Sequence, residues 1–267
     1  MAIMKGPFHL QGKIGDLRYY YNRAAKKWCV SGKGGANKDI VANNPNMVHN
    51  RENNNEFKAV GKWSSLLRKA LIGIDHLNKG YYMKYVVKIA QLIQKKDIPG
   101  DVGRRNIFSS RFKSMLLDIN FNEEHPFSQV FSHRLSVNAD PSRKEITLSI
   151  QDLVSYFEIS WPKPFEWYRI TMVIAQQPDY LWSSEFNIYD PAYPLLFDRS
   201  IVVRSEWLKR SRQSVDIALT ASFRENELPP DDVSVVVAMG VELASNMVGD
   251  SFSASPGNGT MAIVACL

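Results

Sequence analysis

The hydrophobic period of this chain changes once, near residue 120, and that change restricts its fold more than any motif does. Before it, apolar residues recur at helical spacing; after it, they recur in short alternating runs. Phe57, Val60, Leu67, Leu71 and Ile74 mark one stripe of a long amphipathic helix, with Lys58, Lys62, Arg68 and Lys69 mostly off it. Asn44 followed by Pro45 is its start signal, an N-cap ahead of a proline whose missing N–H costs nothing at the first helical position. Asn78-Lys79-Gly80 stops the pattern. A second helix is predicted over 81–96, placing Tyr82, Tyr85, Val86, Ile89 and Ile93 on one face. The short polar break between the two argues for an antiparallel pair. Ile98-Pro99-Gly100 reads as a turn, and 102–117 as a third, weaker helix.

Beyond residue 120, β-rich stretches bounded by Pro, Asp, Asn or Ser are predicted at 130–137, 144–150, 156–161, 167–175, 200–204, 214–223, 233–243 and 260–266. Ile146, Leu148 and Ile150 alternate with Thr147 and Ser149, as Val215, Ile217 and Leu219 do with their neighbours. The run 233–241 is more continuously apolar, as a central strand would be. Short strands without intervening helical patterns argue for an antiparallel sandwich. Ahead of the helices, Leu17, Tyr19 and Tyr21 alternate with Arg18 and Tyr20, which predicts a strand with one buried face. A polar turn at 22–27 leads into Trp28-Cys29-Val30, so a hairpin is expected over 13–32. The fold class expected is α+β: an N-terminal β-hairpin and amphipathic helices followed by a C-terminal antiparallel β-sandwich. The expected domains are a basic hairpin-plus-helix region at 1–120 and an acidic β-sandwich at 121–267.

Charge is divided along nearly the same line. Through Lys113 the chain carries 22 Lys and Arg against 7 Asp and Glu, a balance of +15. From Ser114 to Leu267 the counts are 11 and 20, a balance of −9. Such asymmetry points to an electrostatic partner for the front: nucleic acid, an anionic surface, or the acidic half of another copy. Apolar residues at 45% and aromatics at 11% argue against wholesale disorder. No apolar run reaches the roughly 18 residues of a membrane-spanning helix, and no membrane span is expected. The start MAIMKGPFHLQGK lacks the pattern of a signal peptide. Cys29 and Cys266, the only cysteines, can make at most one bridge and no zinc site unaided, so a reduced, cytoplasmic setting is expected.

Catalytic patterns are sparse. His9, His49, His76, His125 and His133 form no His-Glu-x-x-His and sit at no metal-ligand spacing beside a cysteine. Asp118, Glu123, Glu124 and His125, with His133 downstream, are the densest cluster; a solvated loop is the favoured reading over a divalent-ion site. Ser110-Arg111-Phe112-Lys113 matches Ser-x-x-Lys without the accompanying Ser-Asp-Asn or Lys-Thr-Gly. Gly32-Lys33-Gly34-Gly35 is a basic glycine loop without P-loop spacing. Cys29 reads as a packed thiol. No catalytic, cofactor or metal residue is assigned, no cofactor is expected, and the protein is read as non-enzymatic.

Binding is where the residues concentrate. Tyr19, Tyr21, Lys26, Lys27, Trp28, Lys33 and Lys38 gather around the hairpin, and Lys95, Lys96, Arg104 and Arg105 flank the turn at Pro99. The leading reading is a structural protein that self-associates into a ring, tube or filament, or docks into a larger bacterial or phage-like machine. A basic front would meet an acidic back in a heterologous contact. The alternative is nucleic-acid binding, with aromatics stacking bases and cations holding phosphates. A third reading is a carbohydrate- or peptide-binding sandwich with Trp161, Trp167 and Trp182 at its site.

Met4-Lys5-Gly6-Pro7-Phe8, Gly12-Lys13-Ile14-Gly15, the tyrosine strand, Lys33-Gly34-Gly35 and Arg51-Glu52-Asn53-Asn54-Asn55-Glu56-Phe57 resemble the opening of a Bacteroidota protein family classed as a domain of unknown function. The resemblance lies mainly in the first 80 residues. It implies a bacterial source, agrees with a hairpin followed by helices, and carries over no catalytic residue.

Overall fold

The alternation at Leu17, Tyr19 and Tyr21 does build a strand, within a wider sheet than one hairpin. The computed structural model describes residues 2–3, 10–32, 37–194, 200–245, 247–248, 251–252 and 258–267. Two units divide the chain, Met1–Asn53 and Asn54–Leu267. In the first, β1 (Ala2–Ile3), β2 (Gly12–Ile14), β3 (Leu17–Asn22) and β4 (Lys27–Gly32) pair antiparallel in the order β1-β4-β3-β2. The Asn22 side chain accepts the Ala25 N–H at 3.0 Å and closes the β3–β4 turn. A short helix, α1 (Lys38–Asn43), follows. Asn44 is the expected cap: its Oδ1 accepts the Asn46 N–H at 2.9 Å, and Pro45 opens a 3-10 turn, Pro45–Met47. From there α2 (Val48–Ala70) runs across the boundary between the units.

Within the second unit α2 buries Ala59, Val60, Trp63 and Leu67. Phe57, expected on the same stripe, is 55% exposed. At about 100° per residue it lies a quarter turn off the line through Glu56, Val60, Trp63 and Leu67. α3 (Met83–Lys95) buries Val86, Ile89, Ala90 and Ile93 on the expected face. The third helix expected over 102–117 is replaced by two 3-10 segments, Ser109–Arg111 and Lys113–Asp118. Distant carboxylates take the donors an α-helix would use. Asp97 Oδ2 accepts the Asn106 N–H at 2.7 Å, and Asp179 Oδ1 accepts the Ser110 N–H at 2.8 Å.

The chain then becomes sheet-rich. α4 (Phe127–Val130) and β5 (Ser136–Ala139) stand where one strand was expected at 130–137. β6 (Glu145–Leu153) follows, and α5 (Ser155–Glu158) is one helical turn where 156–161 was expected to be extended. Its own Glu158 explains the difference, because Oε2 accepts the Val154 N–H at 2.7 Å and caps the turn. Next come β7 (Trp167–Gln177), an unanticipated hairpin of β8 (Tyr180–Ser183) and β9 (Ile188–Pro191), β10 (Ser200–Arg204), β11 (Leu208–Lys209) and β12 (Val215–Ser222). The last are β13 (Ser234–Ala244), the short pair β14 (Met247–Val248) and β15 (Ser251–Phe252), and β16 (Gly259–Cys266).

Two antiparallel sheets organise this unit, one in the order β10-β7-β13-β16 with β11 also on β7, the other β12-β6-β5. Their inner faces meet. Ile146, Leu148 and Ile150 of β6 share a cluster with Ile170 and Met172 of β7 and Val237 of β13. The far side of the larger sheet, through Val173, Val236 and Ala238, joins Trp63, Leu67 and Ile93 of the helices in a second cluster. β13 is buried along its whole length, which is why 233–241 reads as a continuous apolar run. Gly240 permits this packing: a Cβ there would stand 2.7 Å from Leu77 Cδ1 and 3.0 Å from Ile74 Cγ2. Helices and sheet thus share one core. The boundary expected between 120 and 121 falls inside the second unit, and the division lies at 53–54.

Candidate interaction surface

In paired antiparallel strands, directly opposed residues point to the same face. The register opposes Ile14 to Leu17, Tyr19 to Val30 and Tyr21 to Trp28, which puts all six on one face of the first sheet. The other face takes Lys13, Arg18, Tyr20, Lys27 and Cys29. Strand alternation alone therefore sorts an apolar, aromatic face from a basic one. Tyr21 and Trp28 meet edge to face with centroids 5.4 Å apart, and Arg18 lies over the Tyr20 ring at 5.9 Å. The period predicted that the apolar face would be buried; it is partly exposed instead. Ile14 is 57% exposed and Leu17 and Tyr21 are 44% each. Tyr19, Trp28 and Val30 are half-buried, and among the described residues of the first unit only Cys29 is buried. A single small sheet with Ile14, Leu17 and Tyr21 exposed stands at the edge of stability in water.

The other residues singled out in the sequence divide between the units. Lys26 is exposed in the β3–β4 turn at φ 51°, Lys27 is exposed at the start of β4, and Lys38 is exposed at the start of α1. Lys33, with Gly34 and Gly35, lies outside the described residues. Lys95, Lys96 and Arg104 belong to the second unit and are exposed. Arg105 is a correction. Its Nε and Nη2 donate to both oxygens of buried Glu56 at 2.7 and 2.6 Å, and the Gly103 N–H reaches the same carboxylate at 2.8 Å. Burial pushes the Glu56 carboxyl up, but Arg105 and Gly103 outweigh it and hold it below the ordinary range. Arg105 therefore secures the 103–105 loop to α2 and is not a docking cation.

The charge division also changes meaning. Residues 1–53 hold nine Lys and Arg against three Asp and Glu, whereas 54–267 hold 24 of each. The whole net charge of +6 thus equals that of the first unit. Inside the second unit, cations from the helical part meet acids from the sheet-rich part. Lys84 pairs with Glu123, and Lys79 with Glu124 at 2.7 Å.

Among the described residues no three His, Cys, Asp or Glu side chains gather as metal ligands. Glu123 and Glu124 face lysines, and His125 meets Trp161 edge to face at 4.5 Å. Ser110 Oγ donates to Asp179 Oδ2 at 2.6 Å, so its hydrogen bond goes to a carboxylate and not to Lys113. Both cysteines are free, and burial pushes the Cys266 thiol up to about 11. Trp167 lies on β7 and Trp182 on β8, whereas Trp161 stands between α5 and β7; Trp182 lies against Tyr189 at 5.0 Å.

His133 lines an open cleft of 590 Å³ with Arg134, Gln151, Asp152 and Glu158. Its Nδ1 lies 2.6 Å from Glu158 Oε1 and its Nε2 2.7 Å from the Gln151 carbonyl oxygen. Both partners are acceptors, an arrangement that favours the doubly protonated ring. Burial pulls the His133 pKa down, but the Glu158 and Gln151 bonds outweigh it and the net direction is upward.

Ile14 and Val30 were missed as surface residues. The signal for Ile14 was the two-residue turn Gly15-Asp16 between β2 and β3, with Gly15 at φ 56°. Among the described residues, no helix is long and apolar enough to cross a membrane. No family model matches this chain, and no curated protein matches it.

Proposed function

We propose that this protein is a non-enzymatic assembly subunit. It self-associates into a ring, tube or filament, or docks into a larger bacterial or phage-like machine, through the sheet of its first unit. One observation carries the reading: Ile14, Leu17, Tyr19, Tyr21, Trp28 and Val30 share an apolar face on which Ile14, Leu17 and Tyr21 are exposed, on a unit that buries only Cys29 among its described residues. Covering such a face contributes about 25 cal/mol per Å² of apolar area removed from water. Tyr and Trp suit the centre of an interface, because each brings a large contact area with few rotatable bonds. Exposed Lys26, Lys27 and Lys38 orient the approach to an acidic surface. Each exposed ion pair is worth about 0–1 kcal/mol, so burial supplies most of the affinity. The resemblance of the first 80 residues to a Bacteroidota family supports a bacterial source, and the presence of only two cysteines supports a reduced, cytoplasmic setting, as parts of this proposal.

The test is the size and shape of nuclease-treated protein by light scattering and negative-stain microscopy. Particles larger than the 30.4 kDa chain are expected. Lys26→Glu with Lys27→Glu should reduce their size, and Leu17→Ser with Tyr21→Ser should reduce it further. A monomer at every concentration would overturn autonomous assembly.

A further inference from the structure

The larger sheet ends at β16, and hydrogen bonds at both ends of that strand fix which way its peptide groups point. Val235 and Leu267 exchange both backbone bonds at 2.9 Å, and the Leu243 N–H donates to the Asn258 carbonyl at 3.0 Å. Bonding alternates along an antiparallel pair, so every second residue turns its N–H and C=O away from the partner strand. Counting from Asn258, Thr260 and Ala262 bond to β13, while Gly259, Met261 and Ile263 face the outer edge. The register shift between Val237 and Ala238 leaves Val264 as the extra residue and carries the count through to Leu267. The Asn122 side chain donates to the Gly259 carbonyl at 3.2 Å, as this direction requires.

Among the described residues, no hydrogen bond reaches the outward peptide groups of Met261 and Ile263. The two residues are only 2% and 3% exposed, and peptide groups so enclosed are nearly always paired. They border a cleft of 410 Å³, within the range of about 300–1,000 Å³ found for ligand sites. Its walls come from both layers of the core. Ile119 belongs to the cluster beneath the helices, and Phe127 packs on the cluster between the sheets. The cleft therefore follows the edge of β16 where a further strand would lie. Leu117 and Ser128, on its rim, are exposed. Among the described residues, none of its lining is charged.

We propose that this cleft binds an extended, uncharged peptide segment of a partner protein, which adds a strand to the free edge of β16. A peptide backbone in strand form repeats a donor and an acceptor about every 6.7 Å, the spacing from Met261 to Ile263. An apolar small molecule would cover the walls and leave those peptide groups unpaired. The walls state the rest of the chemistry. With apolar side chains on both sides, the segment is apolar on both faces, as β13 is. With nothing in the lining to pair a charge, it carries none, because an unpaired buried charge is strongly unfavourable. Residues 261–264 span about 13 Å, which about four partner residues match. The inference stands apart from the assembly reading, since it uses no residue of the first unit.

Fluorescence anisotropy with the full chain tests it, using a dye-labelled, capped peptide of four valines flanked by serines. Saturable binding is expected. A matched depsipeptide, with esters in place of the four central amides, keeps the side chains and loses the N–H donors. It should bind at least about tenfold more weakly, as should a peptide with glutamate at two of the valine positions. Ser128→Glu, at the exposed rim, should weaken binding too, with circular dichroism to check its fold; the peptide series decides the matter without any variant. Leu17→Ser with Tyr21→Ser should leave the affinity unchanged, which separates this site from the first unit. Absence of saturable binding would overturn the proposal, and so would a depsipeptide that binds as tightly as the peptide, since the cleft would then recognise apolar surface alone. Loss of binding in the first-unit variant would place the site elsewhere and overturn it. Particles of the protein that shrink on adding the peptide would make the occupant a second copy and overturn the assignment to a separate partner.

Discussion

The sheet of β1 to β4 and the sheet built on β7 and β13 use the same antiparallel pairing, yet they meet opposite surroundings. In the first, Ile14, Leu17 and Tyr21 are 44–57% exposed on one face. In the second, Val173 and Val236 pack against helices while Met172 and Val237 pack against β6 and β12. What differs is the supply of cover. Around β7 and β13 the chain provides α2 and α3 on one side and a second sheet on the other. In the first unit α1 has six residues, none of them buried. Alternation decides which face of a strand is apolar, and other elements decide whether that face is covered.

The contrast has measurable consequences. Trp63, fully buried under the larger sheet, should lose about 4 kcal/mol of stability as Trp63→Ala, read from denaturant unfolding. Gly240→Ala should follow at about 1–3 kcal/mol, since its Cβ meets Leu77 and Ile74; repacking without loss would show that the contact yields. Leu17→Ser should change stability by no more than about 0.5 kcal/mol while weakening self-association. A large loss of stability there, with assembly unchanged, would make the first sheet's face an internal packing surface.

The smallest effect belongs to the His133–Glu158 clip. The His133 pKa is raised above 6.5, so its contribution is full below that value and is lost as pH rises through the folded pKa. For Glu158, burial raises the carboxyl, and the His133 and Val154 bonds outweigh it, so the net pKa lies below 4.5. Its contribution is present above 4.5 and is lost as pH falls through the folded pKa. The clip is therefore strongest between 4.5 and 6.5. Thermal melts across that window and into mild alkali should show a decline that His133→Gln abolishes. An identical pH profile in the variant would remove the clip from the account.

Much of the fold was legible because it rests on local period. The α3 face, the alternation of β6 and β12, the capping by Asn44 and the burial of 233–241 all follow from residues a few positions apart. α5 and the 109–118 segment were misread where a carboxylate near or far captured the backbone donors: Glu158 at Val154, Asp179 at Ser110. Among the candidate site residues, Tyr19, Tyr21 and Trp28 share a face as their spacing implies, whereas Arg105 is taken by Glu56, 49 positions earlier. The cleft beside β16 was invisible for the same reason, since Ile119 and Phe127 are distant in the chain from Met261 and Ile263.

Residue order alone was enough to establish the α+β class, the shared face of Leu17, Tyr19 and Tyr21 on β3, and the excess of positive charge near the N-terminus. These depend on spacing and composition, which the backbone geometry of strands and helices converts directly into faces. Long-range packing settled which faces are covered, which cations are neutralised, and where the chain divides at 53–54. Those outcomes turn on which distant side chains come within a few ångströms of one another, and neither hydrophobic period nor charge count carries that information.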